Sequence, residues 1–128
     1  MRDIANNIGL VPAIAPAVIT ATTTGAALDL KGFQSAALII NTGAIAGDGD
    51  YTAKLQESDT TTSGDFADVV AEHLIGELPA TLEADSVVKQ GYIGHKRYLR
   101  AIITKNSGTS IAASAALIKG DADVRPVE

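Results

Sequence analysis

Short apolar segments rich in Ile, Val and Thr, each closed after a few residues by Gly, Asn, Asp or Ser, are the feature that most restricts the fold of this chain. In residues 51–56, apolar and polar side chains alternate, which is typical of a half-buried strand. The alanines in 35–40 and 111–118 favour helix by intrinsic propensity. Their neighbours are β-branched and the segments are short, so we predict strands instead. About seven or eight such segments predict an all-β fold: an antiparallel β-sandwich, jelly-roll-like.

The length of 128 residues predicts one domain with a single core. That core must be built from small side chains, because the chain has three tyrosines, two phenylalanines and no tryptophan. Small side chains each bury little apolar area, so such a domain is expected to be only modestly stable alone. A partner, or further copies of the chain, would supply additional burial.

Residues 1–16 are predicted to form an extended N-terminal arm, ahead of a sandwich domain at 17–120 and a polar C-terminal tail at 121–128. Pro12 and Pro16 favour extended backbone in the arm. A purely solvated tail would seldom hold so many apolar residues, so the arm either folds back on its own domain or lies across a neighbouring subunit. The second alternative makes interface candidates of five apolar residues: Ile4, Ile8, Leu10, Val11 and Ile14.

The segment 91–104 contains two of the three tyrosines, two arginines and one of the two histidines. On a strand, Leu99, Ala101 and Ile103 share one face and are expected to point into the core. Tyr98 and Arg100 then lie on the opposite face, which is either solvated or in contact with a partner. Tyr and Arg are enriched among interface hot spots, so both residues are interface candidates.

The residues favour no catalytic, cofactor or metal site. No hydrolase, metalloprotease or phosphate-loop motif is present, and the absence of cysteine excludes thiolate chemistry and cysteine-bound zinc. Residues 59–70 have the Asp, Thr, Ser and Gly spacing of an EF-hand loop, but Val70 stands where the bidentate Glu belongs. A net charge of −5 with scattered basic residues argues against nucleic acid, and no apolar run is long enough for a membrane span.

Three motifs together resemble a family of small proteins encoded among the head genes of tailed bacteriophages and prophages. They are the start MRDIANNI, the QESD turn at 56–59, and GYIGHKRYLR at 91–100. The resemblance implies a capsid decoration, or cement, protein that binds the outer surface of the virion and clamps neighbouring major capsid subunits. It further implies a homo-oligomer, a dimer or trimer, made in the host bacterial cytoplasm. The match is to a family pattern, so it assigns no contact residue.

Two other functions stay open at the level of sequence. A tail or head–tail connector component is also a multi-copy β-rich protein, and only its position on the particle would separate it from a decoration protein. A carbohydrate-binding adhesion module is the further alternative, although sugar sites usually rely on aromatic platforms and this chain has few aromatic residues. An enzyme would need a site that no motif indicates.

Overall fold

The chain folds into two β-sheets that share one core, and buried and exposed residues alternate along the long strands. The computed structural model describes residues 3–122. Sheet 1 contains, in spatial order, β1 (Gly9–Ile19), β10 (Ser110–Ala122), β4 (Phe33–Ala46), β8 (Val87–Tyr92) and β7 (Leu74–Ile75). Sheet 2 contains β2 (Thr23–Thr24) and β3 (Leu28–Asp29) along one edge of β9 (Tyr98–Ser107), then β5 (Asp50–Ser58) and β6 (Ala67–Asp68). Single 3-10 turns lie at Ser63–Asp65 and Ala71–His73. All pairings are antiparallel, so the predicted all-β antiparallel sandwich is confirmed.

The core lies between the two sheets and is formed by alternate residues of their central strands. The predicted inward residues of β9 are confirmed, because Leu99, Ala101 and Ile103 are buried. Those of β5 are also buried, as the alternation in residues 51–56 indicates. The largest side chains that are fully buried are Leu38, Ile40, Tyr51, Leu82, Leu99, Ile103, Ile111 and Leu117.

The first half of the chain pairs with the second half in nested order. β5 pairs with β6, β4 with β8, β2 and β3 with β9, and β1 with β10. Two further pairings, β4 with β10 and β5 with β9, complete the two sheets. As a result, β8, β9 and β10 alternate between the sheets, and the chain passes from one sheet to the other at each connection.

The predicted N-terminal arm is wrong for residues 9–16, because these residues belong to β1, an edge strand of sheet 1. Residues 9–16 instead follow the other alternative, in which this segment folds back on its own domain. β1 pairs with β10 from Gly9 opposite Lys119 to Ile19 opposite Ile111. Two register shifts interrupt the ladder near Pro12 and Pro16, and such bulges accommodate prolines in an edge strand.

The predicted start of the C-terminal tail at residue 121 is also wrong, because β10 continues to Ala122. Residues 123–128 of that tail lie outside the described residues.

Candidate interaction surface

The outward-facing side chains of sheet 1 form a mostly apolar surface, which we call the outer face of sheet 1. On β4 and β10, Leu38, Ile40 and Leu117 are buried, so the residues between them point away from the core. The apolar members of this face are Leu10, Pro12 and Val18 on β1, Ala112, Ala116 and Ile118 on β10, Ala37 and Ile39 on β4, Val87 on β8, and Ile75 on β7.

The strand register joins most of these residues into two adjacent rows, while the row beyond them is polar at its centre, where Ser114 lies opposite Asn41. One row crosses all five strands without a polar side chain and consists of Leu10, Ile118, Ala37, Gly91 and Ile75. The next row contains Pro12, Ala116, Ile39 and Lys89, and Lys89 is the one charged residue on the face within the described chain.

The large side chains at the margins of this face are open to solvent. Leu10 is 64% exposed, Val18 66%, Val87 67% and Ile75 58%. Single exposed apolar residues are ordinary on a protein surface, but a contiguous patch indicates an interaction site. The outer face of sheet 1 is therefore the surface of this molecule best suited to bind another protein.

Two apolar runs in the sequence are the signal that corresponds to this face. The run Leu38 to Ile40 is apolar at every position, and residues 111–118 are apolar at every position but Ser114. Continuous apolar runs are typical of strands that are covered on both faces. Within the described chain only the inner face of these strands is covered.

The outer face of sheet 2 is polar and its side chains bind one another. The Nε of Arg100 donates to Oε1 of Gln56 (2.8 Å), and Nη1 donates to the hydroxyl of Ser63 (3.0 Å). The guanidinium also stacks 4.4 Å from the ring centre of Phe66. Gln56 in turn donates to Asp68 (2.8 Å). Arg100 thus fastens the segment between β5 and β6 onto the sheet.

Arg97 forms a bidentate ion pair with Asp29. Its Nε lies 2.9 Å from Oδ1 of Asp29 and its Nη2 lies 2.8 Å from Oδ2. These hydrogen bonds hold the pKa of the Asp29 carboxyl at about 2, well below its usual value. The pair connects β3 to the start of β9.

None of the five Tyr and Phe rings is fully exposed. Tyr51 and Tyr92 are buried in the core. The other three each lie beneath a cation, with Arg97 over Tyr98, Arg100 over Phe66, and Lys119 over Phe33. An open aromatic platform of the kind that stacks on a sugar is therefore not formed by these rings.

The two histidines meet beside a polar cluster at one end of the molecule. The rings of His73 and His95 are 5.6 Å apart in an edge-on arrangement, and Nδ1 of His73 lies 3.9 Å from Glu57. The Tyr92 hydroxyl donates to Glu57 (3.1 Å) and accepts from the backbone N–H of Lys96 (3.1 Å). Burial raises the pKa of Tyr92 to about 12, so its hydroxyl stays protonated and serves as a fixed link.

An open cleft of about 320 Å³ adjoins this cluster and is lined in part by Lys31, Phe33, His95 and Arg97. Among residues 3–122, no group of three or more His, Cys, Asp or Glu side chains is placed to hold a metal ion. In the same range, no helix is long and apolar enough to cross a membrane.

The structure separates the seven residues that the sequence offered as interface candidates. Tyr98 and Arg100 lie on the outer face of sheet 2. Of the five apolar candidates near the N-terminus, Ile14 is buried in the core and Val11 packs against it. Leu10 is exposed on the outer face of sheet 1, Ile4 is exposed ahead of β1, and Ile8 is half-buried. No single flat contact can include Leu10 together with Tyr98 and Arg100, because they lie on opposite sides of the sandwich.

Comparison with protein-family models, with curated proteins and with solved structures finds no match to this chain.

Proposed function

We propose that this protein is a structural component of a tailed-phage virion that decorates the outer surface of the capsid and clamps neighbouring major capsid subunits. The observation that carries the proposal is the outer face of sheet 1, an apolar surface that crosses five strands. A protein that acts as part of a multi-copy assembly needs such a surface and needs no reactive group. The resemblance of the three sequence motifs to phage head proteins is the reason for placing this protein on the phage capsid.

The contrast between the two sheets supports an assembly role. The polar side chains of sheet 2 are bound to one another, as on the solvated side of a sandwich. The outer face of sheet 1 has the composition of an interface core, which is poor in charge and rich in apolar contact. Specific interfaces bury roughly 1,200–2,000 Å² in total, and a small protein reaches such an area only by using a whole face.

We also propose that the sandwich is a jelly roll. If β2 and β3 are counted as one interrupted strand and the two-residue β7 is set aside, eight strands remain. Their nested pairing, from β5 with β6 outward to β1 with β10, is what results when one long hairpin is rolled into two sheets. Jelly rolls are common among viral capsid domains.

The segment ahead of β1 is our candidate for contact with the shell. Ile4 is exposed there, and the backbone of residues 3–8 belongs to no strand. The segment could therefore rearrange on a capsid surface without breaking the sheet. Residues 9–19 could not, because they pair with β10.

The test is cryo-electron microscopy of virions that contain this protein, beside virions in which residues 2–7 have been deleted. We expect density at many symmetry-related sites on the outer shell, and lower occupancy for the deletion. Density confined to the tail or to the portal vertex would replace decoration with the tail or connector alternative. Absence from the particle would overturn a virion role and return attention to adhesion.

A further inference from the structure

We infer that a second copy of this chain packs on the outer face of sheet 1, so that two sandwiches join sheet to sheet across a two-fold axis. The inference deepens the proposed function, because it assigns the outer face of sheet 1 to contact between copies and leaves residues 3–8 ahead of β1 for contact with the shell. It rests on the proposed function only for the place where the pair acts.

The sheet edges are poorly suited to join copies, which leaves the face. An added strand needs a free row of backbone donors and acceptors. β1 is the longest edge strand, but Pro12 and Pro16 lack N–H groups and two bulges disturb its ladder. The opposite edge of sheet 1 is β7, which has two residues, and β2, β3 and β6 at the edges of sheet 2 are equally short.

The outer face of sheet 1 resembles the surface that already packs against a sheet in this molecule. On β10 the inward residues are Ile111, Ala113, Ala115 and Leu117, and the outward residues are Ala112, Ser114, Ala116 and Ile118. Both sides of the strand are therefore built mainly from small and branched residues, although the outward side has one large aliphatic residue where the inward side has two. Sheets stack about 10 Å apart when such small and branched side chains interdigitate. A flat sheet of this kind is the partner that the outer face fits best.

A second copy presents such a sheet, and a two-fold axis brings the same patch to both sides of the contact. The five strands contain 46 residues, and at about 4.8 Å between strands and about 3.4 Å per residue they cover roughly 750 Å² per copy, or roughly 1,500 Å² for two fully overlapping copies. That area exceeds the roughly 1,000 Å² needed for a specific interface.

Charge also favours this face over others for self-association. Each chain has a net charge of −5, so two copies repel unless their contact avoids carboxylates. Among the described residues the outer face of sheet 1 has no carboxylate, and Lys89 lies toward the β8 side of the face. Two copies can therefore meet there without bringing like acidic groups together.

The first test is sedimentation of the purified full-length chain, with and without Ile39→Glu. Ile39 lies on the middle strand, between Ala116 and Lys89. A carboxylate there can pair with Lys89 of the same chain, but dimerisation would remove both charged groups from water, which costs free energy. We expect the wild-type chain to sediment as a dimer, and the variant to raise the dissociation constant about 30-fold or more. The matched control is Thr104→Glu, a half-buried β-branched position on the outer side of β9, and it should leave the dimer intact.

A second variant keeps the test interpretable if the Ile39→Glu chain does not fold. Leu10→Glu combined with Val18→Glu changes two side chains that are already exposed at the margin of the face, and Val70→Glu is the exposed control elsewhere. Far-ultraviolet circular dichroism checks that each variant keeps its strands, and the double variant is expected to weaken the dimer while the control does not. A monomeric wild-type chain, a trimer, or a folded double variant with unchanged association would each overturn the inference. None of these results bears on capsid occupancy, so they leave the proposed function to its own test.

Discussion

At the scale of single residues, two buried tyrosines differ in what their hydroxyl groups do. Tyr92 links Glu57 to the backbone of Lys96, and so fixes the turn that leads into β9. The hydroxyl of Tyr51 is buried and has no hydrogen-bond partner in the described part of the chain. A satisfied buried hydroxyl contributes about 1 kcal/mol or more, whereas an unsatisfied one is a cost of similar size.

We therefore predict opposite results for the same chemical change at these two positions. Tyr92→Phe should lower the free energy of unfolding by about 1–2 kcal/mol, because two hydrogen bonds are lost. Tyr51→Phe should leave it unchanged or raise it by up to about 1 kcal/mol. Urea denaturation at constant pH measures both. A loss at Tyr51 as large as that at Tyr92 would contradict the prediction.

Arg100 shows how contacts within the folded chain bear on a residue type that is enriched at interfaces. Arg and Tyr are enriched in hot spots, and both stood out in residues 91–100. In the folded chain the Arg100 guanidinium is occupied by Gln56, Ser63 and the ring of Phe66. These three partners come from β5 and the segment that follows it, which no local pattern near Arg100 indicates.

At the scale of elements, β1 is the strand that sequence patterns did not identify. Its two bulges place Ala13 and Ile14 both in the core, so the period of two that identifies a strand is lost. Its prolines add signals that are typical of an arm. The evidence for a strand is the antiparallel pairing with β10, which lies about a hundred residues away in sequence.

Substitution of Ile14 separates an arm from a core strand. Ile14→Ala is expected to lower the free energy of unfolding by about 2–4 kcal/mol, because it leaves a cavity between the sheets. The control Ile4→Ala, at an exposed position ahead of β1, should change it by no more than about 0.5 kcal/mol. Chemical denaturation measures both variants. Equal effects at the two positions would contradict the placement of Ile14 in the core and would support the predicted arm.

At the scale of the whole molecule, two neighbouring turns join the sheets at one end. The turn 47–49 leads from β4 in sheet 1 to β5 in sheet 2, and the turn at 108–109 leads from β9 back to β10. The backbones touch where Gly108 meets Gly49, and a Cβ on Gly108 would overlap the Cα of Gly49. Gly108 also has a positive φ of 95°. The close approach of these turns closes this end of the sandwich.

Gly108→Ala is accordingly expected to lower the free energy of unfolding by about 3 kcal/mol or more, from backbone strain and overlap together. Gly32 is the matched control, because its φ is 92° but nothing lies within 4 Å of an added Cβ. Gly32→Ala should cost only the strain, about 1 kcal/mol. The melting temperatures of the two variants, measured side by side, give the comparison. Equal losses would mean that the contact between the turns contributes nothing.

The sequence by itself determined the fold class, most of the long strands, and the inward residues of β5 and β9. These depend on local information: a period of two, β-branched composition, and turn residues between segments. Only the tertiary structure decided that β1 is an edge strand, that Arg100 is bound within its own chain, and that the outer face of sheet 1 is open. The physical reason is that each depends on which distant segments meet. An apolar run indicates that both faces of a strand are apolar. Only the fold determines which of the two faces is covered by the same chain.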